Sequence, residues 1–395
     1  MQTLSVSNYD VIVIGAGILG SATAFYLSKK GVKVLVADRT EPNQGASGRN
    51  AGSLHFQLES SMVGSLASNP ESLGNLVTTN LQAIEDWRGL EADLGADLGV
   101  AMHGGLMVAE TAEDVKLLKT KNRFETQHGL HTAFVERDEL KSVAPYLSSN
   151  VLAASYVAQE GHANPRFVTP TYVRKAQENG AHFLTGTRVD TLRHENNQWQ
   201  VELLSRPTGA EEKRTVSADV VLIAAGAWSA PILKYMGSQV PLEPVALQMN
   251  VSERIKPLIP HLVQHIGKKL SLKQTAEGNI LIGGGWSAKL RWESGLSASP
   301  ETVIVPANIC ANLRVAESVA PEVGKVHLLR TWTGLAGVTP DHLPVLGPVS
   351  EVKNCFIVGG NLSFTLGPTL ARMTSQLICG EATDLPVAMY NPGRF

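Results

Sequence analysis

The chain has 395 residues, more than one hydrophobic core usually serves, so two domains are expected. With 34 basic against 36 acidic residues and a formal charge of −2, no nucleic-acid or anionic-membrane surface is indicated, and 43% hydrophobic with 18% charged residues is ordinary for a globular chain. The three cysteines, Cys310, Cys355 and Cys379, lie far apart without a C-x-x-C, which argues against an iron–sulfur cluster or redox dithiol and for reduced thiols.

Residues 1–10 lack the basic and apolar regions of a signal peptide, and no apolar run is long enough to span a bilayer. A cytoplasmic protein is expected, with attachment to the inner membrane through a partner left open. The run 11–14 reads as a buried parallel strand. Gly15, Ala16, Gly17, Ile18, Leu19 and Gly20 follow in G-x-G-x-x-G register, and an apolar-periodic helix continues through Leu27 towards Gly31. A second strand over 32–37 ends at Asp38. Each part suits a dinucleotide. Gly15 permits the tight turn, Gly17 lets backbone N–H groups approach a pyrophosphate, and Gly20 lets helix and sheet pack closely. The helix N-terminus offers free donors and partial positive charge, while Asp38 can accept from both ribose hydroxyls.

The glycine- and serine-rich loop from Gly45 to Ser53 can wrap backbone N–H groups around a ligand. A helix is predicted over 70–95 and a strand over 103–109. Thr111 with Asp114 forms a capping box for a helix to about His128, and a short helix over 138–143 stops at Pro145. A strand over 151–157 precedes Asn164 and Pro165, which cap a helix ending at Asn179 and Gly180. Strands are predicted over 181–184, 188–193, 198–204 and 215–217, with a polar turn over 206–213, then a buried parallel strand over 219–225. Proline-punctuated strands occupy 240–284, including a hairpin across 276–279. A helix over 306–319 and a strand over 326–333 precede a loop at T-P-D-H-L-P; a strand over 355–358, a loop over 359–366 and a helix from Pro368 to about Cys379 complete the chain.

The ordered set G-A-G-I-L-G with Asp38, G-A-S-G-R-N-A-G, D-V-V-L-I-A-A-G-A-W-S, T-P-D-H-L-P-V-L-G and a glycine-opened C-terminal loop resembles the D-amino-acid oxidase, glycine oxidase and sarcosine oxidase family of FAD-dependent enzymes. GRNAGSLHFQ and LSLKQTAEGNILIGGGW most resemble the flavin subunits of opine oxidase and hydrogen cyanide synthase, and hydroxyproline dehydrogenases. The resemblance implies an α/β fold: a Rossmann-like FAD-binding domain of the glutathione-reductase type, interleaved with a substrate domain of antiparallel sheet plus helices. Residues 1–84, 146–236 and 330–395 would form the first domain, and 85–145 with 237–329 the second.

It further implies non-covalent FAD, since no cysteine matches the covalent attachment position, and a small amine or amino/imino-acid substrate. By the family pattern Gly15 to Gly20 hold the pyrophosphate, and Asp38 and Arg39 flank the adenosine. Ser47, Gly48, Arg49 and Asn50, then Ala51, Gly52, Ser53 and Leu54, run along the pyrophosphate and flavin ring. Val189 meets the adenine edge, and Ala225, Gly226 and Trp228 close over the cofactor. Gly359, Gly360, Asn361, Phe364, Thr365 and Leu366 meet the pyrimidine side, where backbone N–H groups and the final helix would stabilise charge on the reduced ring. Phe364 stands where a glycine is common in the family.

The implied reaction is hydride transfer from an amine-bearing carbon to flavin N5, which needs no triad and no metal. Ala336 occupies the position at which relatives acting on amino acids carry a carboxylate-binding arginine. Lys273 is therefore the candidate anchor, with Arg291 second; His55 and Gln57 are further candidates in the strand leaving the flavin loop. Gln248 and Asn250 sit similarly in the second domain, and Trp286 and Trp332 are candidate pocket walls. Leu281 falls where sarcosine oxidases carry a lysine that assists oxygen, which favours a dehydrogenase, or a subunit passing electrons to a partner chain or carrier, over an oxidase. An oligomer or hetero-complex is expected. A nicotinamide enzyme of the same double-wound type is the rival reading.

Overall fold

The computed structural model describes residues 8–205, 211–291 and 300–395. The leader reading at 1–7 and most of the turn expected over 206–213 lie outside the described residues.

The first sheet runs in the order Pro344–Pro348, Cys355–Gly360, Glu212–Ile223, Asn8–Ile14, Val34–Ala37 and His182–Leu184. Its central pairings are parallel. Alternate residues of its strands enter different cores: Val11, Val13, Val34 and Val36 face the helices, while Ile12, Ile14 and Leu35 face Trp199 and Val201. Burial on both faces explains the unbroken apolar runs. The helix Ile18–Lys29 packs between Pro165–Glu178 and Gly367–Ile378 and is buried along nearly its whole length.

The second sheet has the order Leu328–Val338, Glu243–Arg254, Asn279–Gly283, Ser271–Gln274, Leu262–His265, Gly105–Ala109, Ala153–Val157 and Ala133–Glu136. It is antiparallel except where Leu262–His265 meets Gly105–Ala109. One face, with Leu106, Val263, Leu272, Ile280 and Ile282, packs on the helix Pro306–Val319 through Ala316 and Val319. The opposite face packs, through Met107, Ala109, Ala153 and Val157, into the core that also holds Val11 and Val13 of the first sheet.

Several elements differ from the sequence reading. Glu212–Ile223 is one continuous strand; Glu212, Lys213 and Arg214 are exposed in an antiparallel ribbon, and that polar stretch reads as turn. Leu328–Val338 continues past Thr333, paired with Glu243–Arg254 as far as Val338 opposite Glu243. Its Gly337 sits at a close approach, where a Cβ would lie 3.1 Å from the Ala227 backbone. The short strand Ala133–Glu136 carries no clean alternation and escapes sequence reading. Strand 153–157 pairs in the second sheet although the boundary at 146 assigns it to the first domain, and the same holds for 330–338.

Candidate active site

A cleft of about 620 Å³ opens along the carboxyl ends of the central strands of the first sheet, where ligands of open α/β sheets sit. It runs from Asp38, Arg39 and Val189, past Gly15, Gly17 and Ser47, to Ala225, Gly226 and Trp228, and reaches Gly359, Gly360 and Ala336.

The glycine turn has little freedom to change. Gly15 has φ +109°, and a Cβ there would lie 2.5 Å from the Ala224 carbonyl oxygen; a Cβ on Gly20 would lie 2.0 Å from the Gly15 oxygen. Ala16 N–H donates to Asp38 Oδ2 at 2.7 Å, and Thr40 N–H and Oγ1–H donate to Oδ1 at 2.8 and 2.9 Å. The acid is thus already aimed across the turn, as ribose recognition needs. Ile18 N–H donates to Ser47 Oγ at 2.9 Å, tying the wrapping loop to the helix start. The Arg39 guanidinium lies 3.9 Å over the Trp228 ring, closing that end of the cleft. This elongated cradle of glycines, helix N-terminus and acid fits the adenosine diphosphate half of FAD. None of the three cysteines lines it. Gly15→Ala adds about 1–3 kcal/mol of backbone strain together with a clash. The purified variant is expected to carry less than about a tenth of the wild-type flavin absorbance per chain after desalting, a loss of about 1.4 kcal/mol or more in binding.

Several other expected residues support the cleft rather than line it, Arg49 excepted. Asn50 staples its own loop, donating to Ser47 O at 2.6 Å and accepting from Gly52 N at 2.6 Å. Ser53 and Leu54 pair with His162 and Gly161. Arg49 lines the cleft and donates to Thr333 O, while Trp332 Nε1 donates to Arg49 O at 2.8 Å. In the C-terminal loop Asn361 accepts from Thr339 N, Phe364 packs on Trp87 and Leu366 is fully buried. Thr365 O accepts from Trp87 Nε1 at 2.6 Å. Ser363, inside the expected loop over 359–366 but not singled out within it, lines the cleft instead. Its only sequence signal is its place in the glycine-opened loop.

The second candidate group lies on the inner face of the second sheet. Leu272 points into the helical core, so Ser271 and Lys273 point the other way. Ser271 Oγ is 3.4 Å from His55 Nε2. Lys273 is only 3% exposed, and its ammonium has no hydrogen-bond or ion-pair partner among the described residues. Burial drives its pKa well below the ordinary lysine value. Burial, then the Lys273 charge, push His55 down to about 3; burial, then Lys273 and His103, push His162 down to about 4. Lys273 pairs directly across the sheet with Leu281.

Gln57 does not join this group. Its Nε2 donates to Glu160 Oε2 at 2.9 Å and its Oε1 accepts from Lys121 Nζ at 2.9 Å, both in full burial. Glu160 Oε1 also accepts from Phe56 and Gln57 N–H, Glu125 Oε1 accepts from Leu58 N–H, and Lys121 donates to Glu125 Oε2. This network pins residues 56–58 behind His55. Arg291 is exposed and paired with Glu301 at 3.1 Å. Gln248 accepts from Val305 N, Asn250 donates to Asn312, and Trp286 Nε1 donates to Lys269 O. Among the described residues no group of three or more His, Cys, Asp or Glu is placed to hold a metal ion.

The family designated DAO, FAD dependent oxidoreductase, matches residues 10–377. The chain is 24% identical over 386 residues to the glycine oxidase of Geobacillus kaustophilus, covering 97% of this chain and 96% of that one. It is 26% identical to the sarcosine oxidase subunit beta of Rhodobacter capsulatus, covering 98% and 90%. The crystal structure of L-proline dehydrogenase from P. horikoshii superposes with a TM-score of 0.84 at 26% identity, covering 99% of this chain and 98% of that one.

Proposed function

The chain belongs to the DAO family of FAD dependent oxidoreductases acting on amino-acid or amine substrates; on that premise we propose that it is a dehydrogenase of a secondary amino or imino acid, of hydroxyproline or opine type. When bound, FAD supplies the two-electron acceptor, its N5 taking hydride from the carbon that bears the amine. The chain itself binds, orients and excludes water. Asp38, Arg39 and Trp228 would hold the adenosine, the Gly15 turn and Ser47 loop the pyrophosphate, and Gly359, Gly360 and Ser363 the ring end. The second sheet would roof the substrate. One observation carries the substrate class: Lys273 is a buried amine with no partner among the described residues, where a substrate carboxylate would complete it. Ala336 lines the cleft at its own position with no charged group.

We place the enzyme in the cytoplasm, with reduced thiols and an electron-accepting partner chain or carrier. No helix among the described residues is long and apolar enough to cross a membrane. A second reading, an oxygen-using oxidase, gains support from Lys273 standing opposite Leu281. Anaerobic mixing of the holoenzyme with amino and imino acids separates these. Bleaching of flavin absorbance by a secondary amino acid, followed by slow recovery in air, is expected. Rapid peroxide formation selects the oxidase, and bleaching only by substrates without an amine defeats the proposal.

A further inference from the structure

We propose that Lys273 takes the proton from the substrate's ammonium as the substrate enters, so that one side chain frees the amine for oxidation and, once charged, holds the carboxylate. This rests on the reading of Lys273 as the carboxylate's partner. An α-ammonium has no lone pair to expel a hydride, so a closed site needs a proton acceptor. Few groups are available. His55 and His162 are neutral, and burial, the largest cause, holds both imidazoles below their ordinary basicity, too weak to hold the proton against an aliphatic amine. Glu277, on the hairpin turn, is held ionised by its own turn's hydrogen bonds, its pKa below the usual carboxylate value. Gln264 and Leu281 on the adjoining strands do not titrate.

Lys273 differs from all of these. Its intrinsic basicity matches that of a substrate amine. It is buried and lacks hydrogen-bond and ion-pair partners among the described residues, and no carboxylate there supports its charge. The transfer is balanced: the substrate N–H bond breaks, its electron pair stays on the substrate nitrogen, and the Lys273 lone pair forms the new N–H bond. The net charge of the site is unchanged. The substrate carboxylate then supplies the counter-charge that the empty site lacks.

Two carboxylates test this on the anaerobic holoenzyme by calorimetry in buffers of different ionisation enthalpy, with the flavin spectrum as a second binding signal. 2-Furoate has no amine, so its binding is expected to take up about one proton from solvent, and its Kd to weaken about tenfold per pH unit above the Lys273 pKa. 2-Aminoisobutyrate carries its own ammonium proton and lacks the α-hydrogen needed for oxidation; it is expected to bind with no net uptake. Lys273→Met should abolish furoate uptake and weaken both ligands. Lys273→Arg, charged at every pH, should bind furoate without uptake yet lose turnover. Wild-type furoate binding that is pH-independent and proton-neutral, with weakening in Lys273→Met, makes Lys273 a permanently charged anchor; the proton transfer then falls while the anchor reading stands. Unchanged furoate affinity in Lys273→Met, or no binding of either probe to wild type, overturns both.

Discussion

Lys273→Met is expected to lower kcat/KM by about 100-fold while making the folded protein more stable. The loss corresponds to about 3 kcal/mol, the upper range for a hydrogen bond to a charged group. The gain arises because the wild type buries an amine without a partner among the described residues, and methionine fills a similar volume without that desolvation penalty. The pH dependence has a definite sign. Lys273 is depressed in the folded state, so between its folded pKa and the ordinary value of about 10.4 the unfolded chain binds one proton more. Wild-type stability therefore rises with pH through that window. The advantage of Lys273→Met should grow as pH falls towards the folded pKa and level off below it. Denaturant melts across that range, run beside steady-state kinetics, check both halves. A variant that loses activity and stability together would make Lys273 a structural residue.

Lys121→Met is expected to destabilise the fold by about 3–5 kcal/mol, the effect of stripping one partner from a buried ionic network. Lys121 and Glu125 are both fully buried, 2.8 Å apart, and Glu160 lies on the other side of Gln57. Burial already raises both carboxyls above their usual values. For groups raised on folding, the native state binds more protons between the unfolded value of about 4.3 and the folded one, so their penalty is absent at low pH and appears as pH rises through the folded pKa. Losing the Lys121 ammonium raises them further. The deficit of Lys121→Met should therefore shrink on acidification, and adding Glu125→Gln should recover most of it at neutral pH, since the amide oxygen can still accept from Leu58 N–H. Denaturant midpoints of the single and double variants measure this. Equal deficits at all pH values would mean that packing, not charge, is what Lys121 supplies.

Legibility followed the range of the interactions. The turn at Gly15, the helix start and Asp38 were readable because they fall within one short contiguous stretch, where backbone geometry dictates residue type. The capping box at Thr111 and Asp114 and the Asn164 cap are local in the same way, and both occur as expected. Gln57 was misread because alternation beside His55 says nothing of Glu160 and Lys121, which arrive 103 and 64 residues away to claim its amide. Phe364 and Asn361 belong to the expected loop, yet Trp87 and Thr339 direct them away from the cleft.

By itself the sequence determined the double-wound cradle and its cofactor class, because a phosphate-binding turn needs only neighbours along the chain. Only the tertiary structure decided that Lys273 would be buried, opposite Leu281 and near His55 and His162, with no carboxylate partner among the described residues. Desolvation and the lack of a counter-ion belong to packed segments distant in sequence, and no local pattern encodes them.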